Sequence, residues 1–534
     1  MNLAKQYIVN GNVSIGIEFG STRIKAVLID PVGKLLAVGG FNWENQLVDG
    51  FWTYSQQDIW NGLQKAYQAL NQDVQTKYGI FIHQAQGIGI SGMMHGYIPF
   101  DSSDQQLVPF RTWRNNTTEQ ATKILTKQFN YNIPQRWSIA HLYQAILNQE
   151  THLSQINYFT TLAGYIHWQL TGEKVMGVGE ASGMFPIDIQ SQTYDQQMLA
   201  QFEELIKEYQ FPWTLSDILP KVLTAGECAG YLTEKGARLL DPSGHLQSGI
   251  PFCPPEGDAG TGMVATNSVK VKTGNISAGT SAFAMIVLEK ELSKVYEQLD
   301  MVTTPSGKLV AMAHANNCTT DINAWIHLFS ECLASFGVEH SIDQVYETLF
   351  SKALEGDFDC GSLLPYGFHS GEHNLGLSEG CPLFIHPTNS KFNLANFVRS
   401  HLYSAFGAMK LGMDILMKEE KVSIEQILAH GGIFKTKNVA AKVLASALNV
   451  PIATMDTASE GGAWGIALLA NYLNHHKEYS LEEYLEQIVF QNSHIQLDEP
   501  DLLMVEGYQQ FILNYQKNIP VAAQAIAIQR TLHS

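Results

Sequence analysis

The stretch SIGIEFGSTRIKAVLIDPVGKLLAVGGFNW, residues 14–43, decides the fold. Its apolar residues recur with a period of two, which is typical of strands that bury one face. They are Ile15, Ile17, Ile24, Ala26, Leu28, Leu35 and Ala37. The turn Gly20-Ser21-Thr22 separates the first two strands, and Pro31-Val32-Gly33 precedes the third. The stretch therefore predicts an antiparallel meander that opens a domain.

Helices and strands alternate after this meander. Ser55 and Asp58 predict the capped start of a helix whose apolar positions begin at Ile59. AQGIGISGM, residues 85–93, predicts a short buried strand, and the alternation continues to about residue 175. This pattern is typical of a mixed α/β domain.

The opening pattern occurs a second time. VKTGNISAGTSAFAMIVLE, residues 271–289, again places a Gly-Thr-Ser turn, residues 279–281, between two strands. We interpret this as an internal duplication with two domains, residues 1–265 and 266–534. Such a pair predicts a ligand cleft between its domains.

Glycine turns of this kind can hold an anion, because backbone amides and hydroxyls converge where no side chain blocks them. A single turn of this type is more often an ordinary hairpin, but two in equivalent places, together with a third glycine-rich site, favour anion binding. A third glycine site, Gly431-Gly432, follows a predicted strand and precedes a helix that we expect to begin near Lys435. Gly461-Gly462 is predicted to open a further helix. GxxxxGK[ST] is absent, and no GxGxxG follows the first predicted strand, so these sites are neither a P-loop nor a dinucleotide fingerprint.

Composition restricts the class of protein. The 534 residues carry 33 basic and 51 acidic side chains, a net charge of −18. A polyanionic partner, either nucleic acid or an anionic membrane, is therefore not expected. We find no signal peptide and no apolar stretch of spanning length. The six scattered cysteines form no CxxC pair, which favours reduced thiols in a cytoplasmic protein.

Five segments occur in an order that resembles the FGGY carbohydrate kinases of the actin-like ATPase superfamily. They are IGIEFGSTRIKAVLID (15–30), SGMMHG (91–96), EGDAGTG (256–262), SAGTS (277–281) and GGIF…EGGAWG (431–465). The resemblance implies an α/β fold with two ribonuclease H-like domains. ATP and a sugar would meet in the cleft between a sugar-binding first domain and a nucleotide-binding second domain, which ends in a helical C-terminal extension.

The resemblance implies a role for Asp258, which lies in the run PPEGDAGTGM, residues 254–263. Phosphoryl transfer from ATP needs an acceptor for the proton of the attacking hydroxyl. Asp258 would be that general base, while Gly257 and Gly260 leave room for the ligands. The alternative is an ordinary turn residue. Glu256 is interpreted as a solvated loop acid.

Within the family, SGMMHG is most similar to the xylulokinase type. Met94 would pack on the sugar carbons and His95 would hydrogen-bond a sugar hydroxyl, although a His in this position is also a common core residue. FRTWRNN, residues 110–116, makes Trp113 and Asn115 candidate pocket residues. The alternative for Asn115 is the cap of a helix that begins near Thr118.

The same resemblance implies the ATP site. The residues expected at the nucleotide are Gly20, Ser21, Thr22, Lys25, Gly279, Thr280, Gly431, Gly432 and Lys435. Lys25 is equally well explained as a solvated strand residue. Glu18 stands where this superfamily usually has Asp, and it would help to hold Mg²⁺, through water if its longer side chain shifts the geometry.

Two classes of function follow. The first is an ATP-dependent kinase of a ketopentose, with D-xylulose first and L-ribulose or another ketose as the alternative. The second is a non-kinase actin-like ATPase or nucleotide-gated binding protein. The expected partners are a small sugar and ATP. The sequence permits a homodimer and does not decide it.

Overall fold

The computed structural model describes residues 3–455 and 461–533. By its internal contacts the chain forms two compact units. The first comprises Met1–Val269, Asp300–Val310 and Ala458–Asn492, and the second comprises Lys270–Leu299, Ala311–Thr457 and Ser493–Ser534. The chain first leaves the first unit after Val269 and later returns to it twice. The expected division into a sugar-binding and a nucleotide-binding domain stays a prediction.

The first unit is built on a five-stranded sheet. Its strands, in spatial order, are Glu256–Gly257, Gly87–Gly92, Ser14–Phe19, Arg23–Ile29 and Leu35–Asn42. The first three run parallel, and the last two continue as an antiparallel meander. The predicted meander and the buried strand of residues 85–93 are therefore confirmed.

The first unit also contains helices and short strands outside this sheet. The helices are Leu3–Val9, Gln56–Tyr78, Glu119–Phe129, Ser138–Leu147, Leu162–Thr171, Val178–Ala181, Gln196–Ile206, Leu215–Ile218, Glu234–Leu240, Asp258–Ala265, Gly461–Tyr472 and Leu481–Tyr484. The short strands are Gln46–Val48, Phe51–Thr53, Ile98–Phe100, Tyr158–Thr160, Val175–Gly177, Ile187–Asp188, Thr193–Tyr194 and Lys221–Leu223. Ser55 caps the long second helix by accepting a hydrogen bond from the Asp58 amide, as predicted.

The second unit repeats the plan. One of its sheets contains, in spatial order, Leu309–Ala315, Ala282–Val287, Thr273–Ala278, Gln426–His430, Ile452–Met455 and Ile495–Asp498. Its helices are Thr320–Ser335, Ile342–Ala353, Leu394–Ala405, Gly407–Asp414, Ala440–Leu448 and Leu502–His533. The remaining strands of the second unit are Leu364–Tyr366 and Leu383–Ile385, whereas all but the first residue of strand Leu299–Thr303 lies in the Asp300–Val310 segment of the first unit. The strand, Gly-Thr-Ser turn and strand predicted for residues 271–289 are confirmed.

Two local predictions are wrong. Gly432–Phe434 forms a single 3-10 turn, and the next helix begins at Ala440, so no helix starts at Lys435. The segment around Leu481–Tyr484, which falls within the predicted second domain of residues 266–534, belongs to the first unit, where the Tyr484 hydroxyl accepts a hydrogen bond from Asn471 Nδ2. Helix Leu502–His533 does belong to the second unit.

Among the described residues, no helix is both long enough and apolar enough to cross a membrane.

Candidate active site

Three parallel strands of the first unit end at one edge of the sheet and bring the predicted residues together. Phe19 and Gly257 both pair with Gly92, so the segments that follow them start side by side. These segments are the turn at residues 20–22, the corner at residues 93–96, and Asp258. We call this group the strand-end site. Ligands of open α/β sheets bind at such carboxyl ends.

Asp258 begins the helix Asp258–Ala265, directly after the strand ends. Its Oδ1 accepts a hydrogen bond from the backbone amide of Met94 at 3.2 Å. Solvent reaches the side chain, yet the surrounding protein removes enough hydration to raise its pKa, an effect that the Met94 and Ala259 amides partly offset. A carboxylate with a raised pKa is a stronger base than free aspartate, so Asp258 can accept a hydroxyl proton.

The corner at Met94 and His95 is buried and conformationally unusual. His95 is 4% exposed and has a φ of 71°, in the left-handed region that side chains rarely adopt. Its Nε2 accepts a hydrogen bond from Arg136 Nε at 3.2 Å, because a guanidinium only donates, and its Nδ1 therefore donates to the Gly183 carbonyl at 3.1 Å. Burial, with the Arg136 charge beside the ring, lowers the His95 pKa well below 6.5, so the ring is neutral.

Trp113 and Asn115 lie next to the same edge. The Trp113 indole, 38% exposed, donates to Ser21 Oγ at 3.3 Å. Asn115 is buried, and its amide group accepts from the Trp52 amide at 2.8 Å and donates to the Trp52 carbonyl at 2.9 Å. The capping alternative for Asn115 is wrong, because the N-cap of the next helix is Thr118. Contact of either residue with a sugar stays a prediction.

Glu256 is not the solvated loop acid that we expected. It is 1% exposed, and its carboxyl accepts hydrogen bonds from the backbone amides of Gly179 at 3.3 Å and Glu180 at 2.8 Å. Burial raises its pKa to about 8, although the amides act in the opposite direction. Glu180 is also fully buried, and neither of its carboxyl oxygens makes a hydrogen bond of ordinary geometry. Its pKa is raised by burial and by the nearby charges of Asp258 and Glu256.

The raised pKa of Glu256 predicts a pH-dependent stability. An acid that holds its proton more tightly in the folded state than at its ordinary value of 4.5 stabilises the fold fully below that value and loses this contribution as pH rises towards 8. We compare the unfolding free energies of the Glu256→Gln variant and the wild type at pH 5 and at pH 8.5. The value for the variant minus that for the wild type should increase with pH, by at most about 1.4 kcal/mol per pH unit. Urea unfolding at both pH values measures this. A difference that does not change with pH would contradict it.

The phosphate loop predicted at residues 20–22 is a tight hairpin end. The Gly20 amide donates to the Arg23 carbonyl at 3.1 Å, while the Ser21 carbonyl accepts from the Tyr54 hydroxyl at 2.6 Å. Thr22 is exposed. Lys25 pairs with Glu18 across the two strands, so both side chains lie on the same face of the sheet.

Glu18 is the residue expected near Mg²⁺. Its Oε2 accepts a hydrogen bond from the Ala463 amide at 3.2 Å, in the first turn of the helix Gly461–Tyr472. No cluster of three metal-ligating side chains occurs within residues 3–455 and 461–533. A single carboxylate is nevertheless compatible with Mg²⁺, which keeps several waters and is often held by one protein carboxylate together with nucleotide phosphates.

The second unit brings its own glycines together. Strands Thr273–Ala278 and Gln426–His430 run parallel, with Ser277 opposite His430, so the turn at residues 279–281 and the Gly431-Gly432 pair leave the sheet at the same edge. Gly431 has a φ of 130°, and a Cβ there would lie 2.0 Å from the Ala278 carbonyl oxygen, so glycine is required.

Contacts within the protein do not require glycine at residue 279 or 432. A Cβ on Gly279 or Gly432 would meet no atom within 4 Å. Gly279 and Thr280 are exposed, and the turn is held by hydrogen bonds from the Cys318 and Thr319 amides. Lys435 ends the 3-10 turn that follows Gly431. Glycines with open space above them leave room for a ligand to approach the backbone.

Sequence reasoning missed three residues beside the strand-end site. Arg136 and Asp300 form an ion pair beside His95, and Glu180 lies beneath the strand that leads to Asp258. A Cβ on Gly257 would lie 2.3 Å from Glu180 Oε2. None of the three stands in a recognisable motif, so only the folded chain shows their proximity.

Two models of one protein family match most of the chain. The N-terminal domain of the FGGY family of carbohydrate kinases matches residues 13–265, and its C-terminal domain matches residues 274–473. Xylulose kinase of Haemophilus influenzae is 22% identical over 517 residues, which is 93% of this chain and 97% of the relative.

Two solved structures show a similar fold. Ligand-bound xylulose kinase from Lactobacillus acidophilus has a TM-score of 0.79 at 18% identity and covers 96% of this chain and 99% of its own. Gluconate kinase from the same organism has a TM-score of 0.78 at 18% identity, with 96% and 98% covered. The fold is thus the two-domain α/β fold of actin-like ATPases.

Both family domains occur in order over most of the chain, and the chain therefore belongs to the FGGY family of carbohydrate kinases, enzymes that use ATP to phosphorylate a carbohydrate hydroxyl.

Proposed function

We propose that the protein transfers the γ-phosphate of ATP to a hydroxyl of D-xylulose, giving xylulose 5-phosphate, with Asp258 as the general base. The observation that carries this proposal is the 3.2 Å hydrogen bond between the Met94 amide and Asp258 Oδ1. It joins the Met-His corner, which resembles the xylulokinase type, to the carboxylate that would activate the hydroxyl. The similarity to xylulose kinases supports the choice of acceptor.

The proposed transfer forms one bond to phosphorus, breaks another and moves one proton to Asp258. The sugar oxygen forms a bond to the γ-phosphorus, the bond between that phosphorus and the β,γ-bridging oxygen breaks, and ADP leaves. Asp258 takes the hydroxyl proton and later releases it to water, which reaches its side chain. The Met94 amide keeps the carboxylate oriented towards the attacking hydroxyl.

The loops proposed for ATP supply amides and hydroxyls. In the first unit these come from Gly20, Ser21 and Thr22, with Lys25 on the adjoining strand. In the second unit they come from the turn at residues 279–281, and Gly431, Gly432 and Lys435 would border the nucleoside. Glu18 would help to hold Mg²⁺ through water, and the ion would neutralise charge on the phosphates.

Experiment must distinguish D-xylulose from other possible acceptors. L-Ribulose or another ketose is the alternative substrate, because residues around the sugar differ between members of one fold while the catalytic residues persist. A non-kinase ATPase is not supported, since the family consists of carbohydrate kinases.

The test is an acceptor screen. The protein is mixed with MgATP and, one at a time, D-xylulose, L-ribulose, D-ribulose, L-xylulose and D-gluconate, and ADP is followed. We expect D-xylulose to give the largest kcat/KM. A larger value for another ketose would replace the substrate and keep the reaction, whereas ATP turnover that no acceptor accelerates would contradict the proposed function.

A further inference from the structure

Three consecutive residues of the first unit hold the Met94–Gly96 corner. Arg136 Nε donates to His95 Nε2 at 3.2 Å, and the Trp137 ring stacks on the His95 ring with 6.3 Å between centroids. Ser138 Oγ donates to the Gly96 carbonyl at 2.6 Å. This corner is the same one whose Met94 amide holds Asp258, so the start of the helix Ser138–Leu147 fixes one side of the strand-end site.

Arg136 leaves His95 without a free ring nitrogen. The Nδ1 hydrogen is used by the Gly183 carbonyl, and the Nε2 lone pair is used by Arg136. A neutral imidazole has one donor and one acceptor, and both are occupied. An acceptor oxygen that approaches this corner therefore finds no hydrogen-bond donor on the His95 ring.

The Arg136 guanidinium has more N–H donors than these contacts use. A guanidinium carries five N–H groups, of which Nε serves His95 and one Nη2 hydrogen serves the ion pair with Asp300. Asn132 Nδ2 holds the other oxygen of Asp300 at 3.3 Å, which fixes the pair. The Arg136 side chain is 23% exposed, so it is neither sealed in the core nor free in solvent.

We propose that Arg136 is the residue that binds a substrate oxygen at this corner and that it determines which acceptors the enzyme accepts, with His95 as its support. The inference rests on the proposed function and assigns to Arg136 the choice of acceptor substrate. Because a guanidinium only donates, Arg136 favours an oxygen that only accepts, such as a ketone carbonyl or a carboxylate. A hydroxyl at the same carbon can accept too, but its own hydrogen then needs a separate partner. The substrate class is thus open-chain ketoses or aldonates, in preference to the corresponding alditols.

The matched substrates are D-xylulose and xylitol, which differ by reduction of the carbonyl. We expect the wild type to prefer the ketose and the Arg136→Met variant to lose this preference. Its KM for D-xylulose should rise about 10- to 100-fold, as expected for loss of a hydrogen bond to a charged group. Its KM for ATP should stay within threefold of the wild type. Arg136→Lys should recover part of the ketose preference, and Arg238→Met, at an exposed arginine of the same unit, should change neither KM.

A second readout does not depend on turnover. The ¹⁵N shifts of the His95 ring, assigned by comparison with His95→Gln, should report a hydrogen on Nδ1 and a bare Nε2 in the wild type. Arg136→Met should alter that pattern by removing the donor to Nε2. If the Met variant does not fold, the same two measurements on Arg136→Lys decide the matter.

The outcomes separate this inference from the proposed function. Phosphorylation of gluconate but of no ketose would overturn the proposed substrate and support the role of Arg136. A wild type that uses D-xylulose, combined with an Arg136→Met variant whose ketose-to-alditol preference is unchanged, would overturn the role of Arg136 and leave the proposed function standing. A protonated Nε2 in the wild type would also overturn it.

Discussion

Asp258→Asn is expected to lower kcat by a factor of about 10² to 10⁴ while the protein still folds and binds ATP and sugar. The amide keeps an oxygen that can accept the Met94 hydrogen bond, so the corner stays in place. What the amide lacks is a lone pair basic enough to take the hydroxyl proton. The measurement is kcat at saturating MgATP and acceptor, with acceptor binding followed separately by calorimetry.

A matched control separates the loss of the base from the change of an acid at a helix start. Asp195 caps the helix Gln196–Ile206 by accepting from the Met198 amide at 2.8 Å. Asparagine is an equally good cap, so Asp195→Asn should leave kcat and stability nearly unchanged. Retention of more than a tenth of the wild-type kcat in Asp258→Asn would rule out Asp258 as the base.

Gly465→Ala is expected to destabilise the first unit and to remove activity. A Cβ at residue 465 would lie 2.0 Å from the Thr261 carbonyl oxygen in the helix that Asp258 begins. On another side of the same helix, a Cβ on Gly16 would lie 2.1 Å from the Ala463 carbonyl oxygen, so the helix Gly461–Tyr472 cannot simply move away. Forcing a methyl group into such a contact costs about 1–3 kcal/mol or more.

The measurement is urea unfolding together with kcat/KM. Gly262→Ala is the control for stability, because it lies in the Asp258 helix and its Cβ would meet nothing within 4 Å. It should keep or slightly raise the unfolding free energy, since alanine favours a helix over glycine by roughly 0.5–1 kcal/mol. An equal stability of Gly465→Ala and the wild type would show that the two helices pack less closely than described.

The sequence predicts the parts of the fold that depend on local pattern. The alternation from Ile15 to Ala37 predicts the meander, and Ser55 predicts the start of the long helix, because strand periodicity and capping are set by neighbours along the chain. The prediction that a helix begins near Lys435 was wrong because local pattern indicates that a helix follows but not where it starts. A glycine pair before an apolar periodic segment indicates that a helix follows, but it does not fix how many residues the connecting turn takes.

The candidate site could be predicted only through motifs. Met94 and Asp258 were both chosen from the sequence, and they lie 164 residues apart in the chain; parallel pairing of Gly257 with Gly92 places them in contact. The burial of Glu256 could not be predicted, because its partners are backbone amides at residues 179 and 180 that carry no sequence signal. Arg136 was missed for the same reason, since its position beside His95 depends on where a helix begins.

The central claim is that phosphate moves from ATP to a ketose and not to water. The most direct measurement is ³¹P NMR of a reaction that contains the protein, MgATP and D-xylulose, with the appearance of ADP, phosphate ester and inorganic phosphate followed together. We predict one phosphate ester for each ADP, little inorganic phosphate, and almost no ADP when the sugar is left out. Formation of inorganic phosphate in step with ADP, whether or not the sugar is present, would contradict the account.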